Sequence, residues 1–382
     1  MSAPPALPAP LTEATEGQPG ARAALAAALA AGPTHAYLFA GPGGGGMRDA
    51  ARAFAAELIA IGAPDPESAR RRALADPSPH PDLVWLRPPG AQHLVEEVRE
   101  QVIKGIAYRP FEGERRVFVI EAAEAMADES QNALLRTLEE PPGFAHLLLV
   151  SSEPAGLRAT VTSRCQQVRF VALTPEAIEE LLVAAGAEAG DPAVRAVARL
   201  AGGDPDRARF LLAPAGNELR ELVERWSLAL RSDELGDAPW SEALELAEAQ
   251  GEEAAAETEQ AVRARAEEAG GTAAKRGARD AQAAGRRAGR RRRTEVLDLS
   301  LALLAAWMRD LAAAGEGASE LVLGADRVAE LKSAAEGLDP RRARRAAELA
   351  LATRRRLRVN VSEELALEAL SFRAAYLLSS HQ

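Results

Sequence analysis

Two continuous apolar runs, Arg116-Val117-Phe118-Val119-Ile120-Glu121 and Leu147-Leu148-Leu149-Val150-Ser151-Ser152, bracket one helical segment. Runs of β-branched, aromatic and leucine residues without polar alternation offer no wet face. Each therefore predicts a strand buried on both sides, as in a parallel sheet covered by helices. Between them, 128–140 predicts a helix, with Asp128 as N-cap, Gln131 reaching back, and Leu134, Leu135 and Leu138 on one face. Pro141 ends it. Glu121, an acid at the carboxyl end of a buried strand, stands where α/β folds place ligand chemistry.

The same reasoning extends outward. Residues 34–40, 83–86 and 167–171 predict further strands. Residues 20–31, the segment from Ala50 to Ile61, and 94–106 predict helices, the last burying Leu94, Val95, Val98, Val102 and Ile106. Thr174-Pro175-Glu176 is a helix-start signal, Thr as cap and Pro at the first position. From Glu218 onward the chain predicts almost nothing but helix, which suits a composition with only 4% aromatic residues.

Strand, Gly-rich turn and helix meet at Gly41-Pro42-Gly43-Gly44-Gly45-Gly46-Met47-Arg48. That is the setting of a phosphate-binding loop, G-x-x-x-x-G-K-[ST]. Gly41 and Gly46 match. Met47 stands where lysine would meet the β- and γ-phosphates, and Arg48 where a hydroxyl would hold magnesium. The residues favour a Gly-rich turn over a working nucleotide site.

Charge and cysteine content narrow the class. The formal charge of −10 argues against a chain that coats nucleic acid by itself. The single cysteine, Cys165, excludes an intramolecular disulfide framework and suits a reducing, cytoplasmic setting. The Pro/Ala-rich 1–15 segment predicts a disordered tail and has no basic, apolar leader pattern. No apolar run approaches the roughly 18–20 residues of a membrane span. Residues 251–293 are rich in Ala, Glu, Arg and Gly, with nine basic residues and one acid, Asp280, between Lys275 and Arg293. Such a run can meet phosphate or acidic groups; a solvated helix or flexible insertion is the plainer expectation.

Gln131-Asn132-Ala133-Leu134-Leu135-Arg136-Thr137-Leu138-Glu139-Glu140-Pro141-Pro142, followed by Ser163-Arg164-Cys165, resembles the AAA+ clamp-loader subunits of bacterial DNA polymerase III. The resemblance spans about 17–378 and is strong through 172. It implies an α/β AAA+ module at 16–172, a helical lid at 173–212 and an all-α collar at 213–382 carrying the 251–293 insertion. In motor members the Glu121 strand ends Asp-Glu; here it ends Glu121-Ala122, so the residue that would activate water is missing. Ser151 and Arg207 fall at sensor-like positions. Arg164 falls at the position of an arginine finger that acts on a neighbour's ATP, with Ser163 ordering the turn and Cys165 packing beneath it.

The resemblance thus implies a subunit that hydrolyses nothing and binds no ATP tightly. Its partners would be the gamma/tau motor subunits, the delta subunit, the sliding clamp and primer-template DNA, with no membrane. Many relatives carry a cysteine-ligated zinc module between Gly62 and Asp82. This chain has no cysteine there, so no zinc is expected, and His80 predicts a loop residue. Arg99, Lys104 and Arg109 are candidates for the DNA backbone, though solvated charge explains each equally well. Two readings compete: an active motor ATPase, opposed by Met47, Arg48 and Ala122, and a stand-alone nucleic-acid binder using 275–293, opposed by net acidity.

Overall fold

The computed structural model describes residues 7–42, 46–89, 92–269, 271–357 and 361–379. Side chains at 265, 268–269 and 271–280 lie outside that description. The chain divides into two compact units: 1–88 with 92–177 and 203–206, and 89–91 with 178–202 and 207–382.

The first unit is built on five parallel strands: β1 (Ala36–Ala40), β2 (Leu83–Leu86), β3 (Arg116–Ile120), β4 (Ala145–Ser151) and β5 (Gln166–Arg169). Their order is β2-β3-β4-β1-β5. β1, β3 and β4 are buried at every residue, the outcome their unbroken apolar runs require. One sheet face packs under α1 (Ala9–Ala14), α2 (Pro19–Ala31), α3 (Met47–Ala60) and α4 (Pro66–Leu74), around Tyr37, Phe39 and Phe54. The other packs under α5 (Val95–Glu97) with the π turn that continues it (Val98–Ile103), α6 (Asp128–Glu139) and α7 (Ala159–Thr162).

Several expectations change. The supposed tail holds α1, with Leu11 and Thr15 fully buried; residues 1–6 lie outside the described residues. One turn of helix survives there because Leu11 packs into the core around α3. Helix α4 lies in the interval between Gly62 and Asp82 and is capped by the Asp65 side chain, which accepts from Ser68 N–H at 3.0 Å. Residues 94–106 are broken into three helical types, and Leu94 is exposed while Val98, Val102 and Ile106 stay inside. Asp128 is the first residue of α6, not its cap. Gln131 instead ties loops together: its amide donates to Met126 C=O at 3.1 Å and its oxygen accepts from Arg158 N–H at 2.8 Å.

The second unit is helical: α8 (Pro175–Ala184), α9 (Pro192–Leu200), α10 (Pro205–Leu212), α11 (Pro214–Ser232), α12 (Ser241–Ala269), α13 (Gly271–Gly315), α14 (Val328–Ala335), α15 (Pro340–Leu357) and α16 (Glu363–Ser379). α8 starts as predicted, with Thr174 Oγ1 accepting from Ala177 N–H at 3.2 Å. Most of 173–212 falls in the same unit as 213–382, while 173–177 and 203–206 fall in the first. Within the stretch expected as an insertion, 251–269 continue α12 and 271–293 open α13, two long helices in contact. Val359 and Asn360 lie outside the described residues.

Candidate functional site

The carboxyl edge of the sheet brings the Gly-rich turn, the end of β3 and the end of β4 together. Gly41 follows β1, and Gly46 opens α3 at φ 75°, a left-handed conformation suited to glycine. A Cβ on Gly46 would stand 2.3 Å from Ala14 C=O, and one on Gly41 2.4 Å from Phe170 C=O. Close backbone packing therefore requires both glycines whether or not a phosphate is bound. Gly43, Gly44 and Gly45 lie outside the described residues. Met47 is turned into the apolar cluster with Leu11 and Phe54, so a methionine suits this position where an ammonium would be desolvated.

Glu121 is the centre of the edge. Its Oε2 accepts from Arg87 Nε–H at 2.7 Å and from Trp85 Nε1–H at 2.8 Å, while Oε1 lies 3.5 Å from Arg48 NH1. Arg87 also donates to Asp76 at 2.6 Å. Asp76 pairs with Arg52 at 2.9 Å, and the Arg52 guanidinium lies 4.2 Å over the Trp85 ring. Burial favours the neutral Glu121 acid, but Arg87 and Arg48, with the Trp85 hydrogen bond, outweigh it and hold the carboxyl below its usual range. The sequence reading missed Arg87, Trp85, Asp76 and Arg52. Parallel pairing of Leu86 with Ile120 is what sets Arg87 beside Glu121.

Ala122 takes φ 50°, ψ 53°, a conformation costing a non-glycine residue on the order of 1 kcal/mol. It is held there by His93, whose Nε2 donates to Glu121 C=O at 2.7 Å, and by Ala125 N–H, which bonds Ala122 C=O at 2.8 Å. Ser151 is fully buried at the end of β4, its hydroxyl unpaired among the described residues. Arg207 is the third residue of α10, in the second unit.

Arg164 lies elsewhere on the first unit, just past α7. Its guanidinium contacts Glu139 at 2.7 Å and donates to Thr160 C=O at 2.8 Å, with side chains 36% and 51% exposed. Ser163 Oγ donates to Thr160 C=O at 3.3 Å. Cys165 packs with Val161 and Leu157 in the core, and burial pushes its thiol up to about 12.

The remaining candidates are engaged locally. His80 lies in the loop before β2 and is buried there, its Nδ1 accepting from Asp82 N–H at 3.1 Å. Arg99 pairs with Glu96 and Glu129, and Lys104 with Glu100; Arg109 is exposed. Among the described residues, no group of three or more His, Cys, Asp or Glu is placed to hold a metal ion, and no helix is long and apolar enough to cross a membrane.

Residues 17–174 match the family model described as DNA polymerase III, delta subunit. The delta-prime subunit of Pseudomonas aeruginosa is 34% identical over 216 residues, covering 54% of this chain and 65% of that protein. Over this region the chain is similar to clamp-loader subunits of the delta-prime type. The delta-prime subunit of Bacillus subtilis is 33% identical over 155 residues, 39% of this chain and 46% of that protein. The tau/gamma subunit of Haemophilus influenzae is 34% identical over 152 residues, 39% of this chain and 22% of that protein. The chain thus spans less than two thirds of the length of these relatives, and the likeness to tau/gamma falls within a small part of that subunit.

Proposed function

We propose that this chain is the non-hydrolysing, delta-prime-type AAA+ subunit of a DNA polymerase III clamp loader, and that Arg164 serves as an arginine finger on a neighbouring motor subunit's ATP. The observation that carries the reading is a division of labour within the first unit. Its own loop presents Met47 and Arg48, and Ala122 follows β3, where a motor subunit requires groups for phosphate, magnesium and water. Arg164 meanwhile is surface-exposed and held by Glu139, the Thr160 carbonyl and a long contact to the Ser163 hydroxyl. An exposed ion pair is worth about 0–1 kcal/mol, so the guanidinium can be given up to a stronger anion. A guanidinium is charged at any working pH and presents a rigid fork to a phosphate.

Assembly with gamma/tau and delta subunits would bring it to the sliding clamp and primer-template DNA. The second unit offers such partners an exposed apolar stripe on α16, Leu365, Phe372 and Tyr376 at helical spacing. The test is Arg164→Ala in the reconstituted loader, with assembly followed by gel filtration and ATP turnover measured with clamp and primed DNA. Arginine fingers contribute about 10³–10⁵ in rate in GTPases; the loss in total turnover will be smaller, because only one site faces this subunit. Arg164→Lys should restore little. Full turnover in an intact complex carrying Arg164→Ala would remove the finger from the account.

A further inference from the structure

We propose that this chain carries its own counter-ions for Glu121, the Arg48 and Arg87 guanidiniums holding the carboxylate that a working ATPase would turn toward magnesium. The inference rests on the reading that the chain hydrolyses no ATP, and it names what replaces the metal. In loops of this type a strand-end acid at the position of Glu121 belongs to the metal shell. Here both of its oxygens face side chains: Oε2 takes Arg87 at 2.7 Å and Trp85 at 2.8 Å, and Oε1 faces Arg48 at 3.5 Å.

Arg48 occupies the position in the loop pattern where a magnesium-binding hydroxyl would stand. One substitution therefore both removes the metal's ligand and supplies a cation. Arg87 is anchored in turn by Asp76 at 2.6 Å, and Asp76 by Arg52 at 2.9 Å. Arg52 lies over the Trp85 ring, so the fork that reaches Glu121 is braced by an ion pair and by a ring stacked under the second arginine. His93 also clamps the Glu121 backbone carbonyl at 2.7 Å. The consequence is a Glu121 carboxylate met by side-chain cations with no ligand bound.

The chemistry makes a sharp demand. A buried carboxylate that loses its cation destabilises the fold more than a neutral side chain does at the same place. Thermal unfolding of the full chain, followed by Trp fluorescence, reads this out. Arg87→Ala should lower Tm by about 6–12 °C. Glu121→Gln added to Arg87→Ala should recover most of that fall. Magnesium chloride should leave the wild-type Tm unmoved.

An Arg87→Ala variant as stable as wild type, additive losses in the double variant, or a magnesium-dependent rise in wild-type Tm abolished by Glu121→Gln would each overturn the proposal. Should Arg87→Ala fail to accumulate as folded protein, the more exposed Arg48→Ala with Glu121→Gln gives the same cycle, and additivity there counts against it equally. None of these variants touches Arg164, so failure here and failure of the trans-acting role are separate results.

Discussion

At the scale of single residues, the Ser163-Arg164-Cys165 turn splits into an exposed charge and a buried thiol. Burial shifts the Cys165 thiol from 9.0 to about 12, so its thiolate is about a thousandfold scarcer at neutral pH. Since Cys165 is the chain's single cysteine, one reagent reports on it alone. Labelling by a thiol-specific disulfide reagent at neutral pH should be at least about 10³ slower in the native chain than in denaturant. Comparable rates in the two states would show the thiol to be accessible and its packing role misassigned. The sequence marked this residue because it ends a motif; only its burial separates a packing group from a nucleophile.

At the scale of elements, α12 and α13 show how a segment of unremarkable composition becomes structural. Small residues let the two backbones approach: a Cβ on Gly289 would lie 2.7 Å from Gly251 C=O, and one on Gly285 2.7 Å from Ala255 C=O. Ala281 and Ala288 are buried, and Arg293 pairs with both Glu248 and Glu363. Counting large apolar residues therefore underestimates what 251–293 contributes, because the contact is made by backbone and by absent side chains. Gly289→Val should force the helices apart and cost about 1–3 kcal/mol, measured by chemical denaturation. Arg286→Ala, at an exposed position nearby, should stay within about 0.5 kcal/mol. Equal effects from the two would mean that the close approach carries no stability.

For the molecule as a whole, the clearest lever is pH. His80, His93 and His146 all lie in the first unit, and burial leads the causes that hold each below its ordinary value, His146 at about 4. The unfolded chain takes up protons at these rings near pH 6.5 while the folded chain refuses them. Stability is therefore fully present above about pH 6.5 and declines as pH falls toward 4, where His146 finally protonates. For His146 alone the linked loss is on the order of 3 kcal/mol. His146→Gln should flatten the dependence between pH 6.5 and 4, read as Tm against pH. An unchanged slope would place the acid sensitivity in other groups.

Local pattern was enough for the sheet and most of its helices. Unbroken apolar runs can only be satisfied between two covered faces, and β1, β3 and β4 obey that without exception. Met47 and Arg48 depart from the G-x-x-x-x-G-K-[ST] pattern at fixed spacing, and that departure is read in chain order alone. What the chain order could not reveal was which distant groups meet. Trp85, Arg87 and Asp76 converge on Glu121 and its partner arginines because β2 pairs in parallel with β3. Asp76 and Arg52 lie 24 positions apart, yet they share one buried charge network. Long-range ion pairing and backbone-to-backbone packing leave no periodic trace in a sequence, so register and helix approach decided them, and only the folded chain records the result.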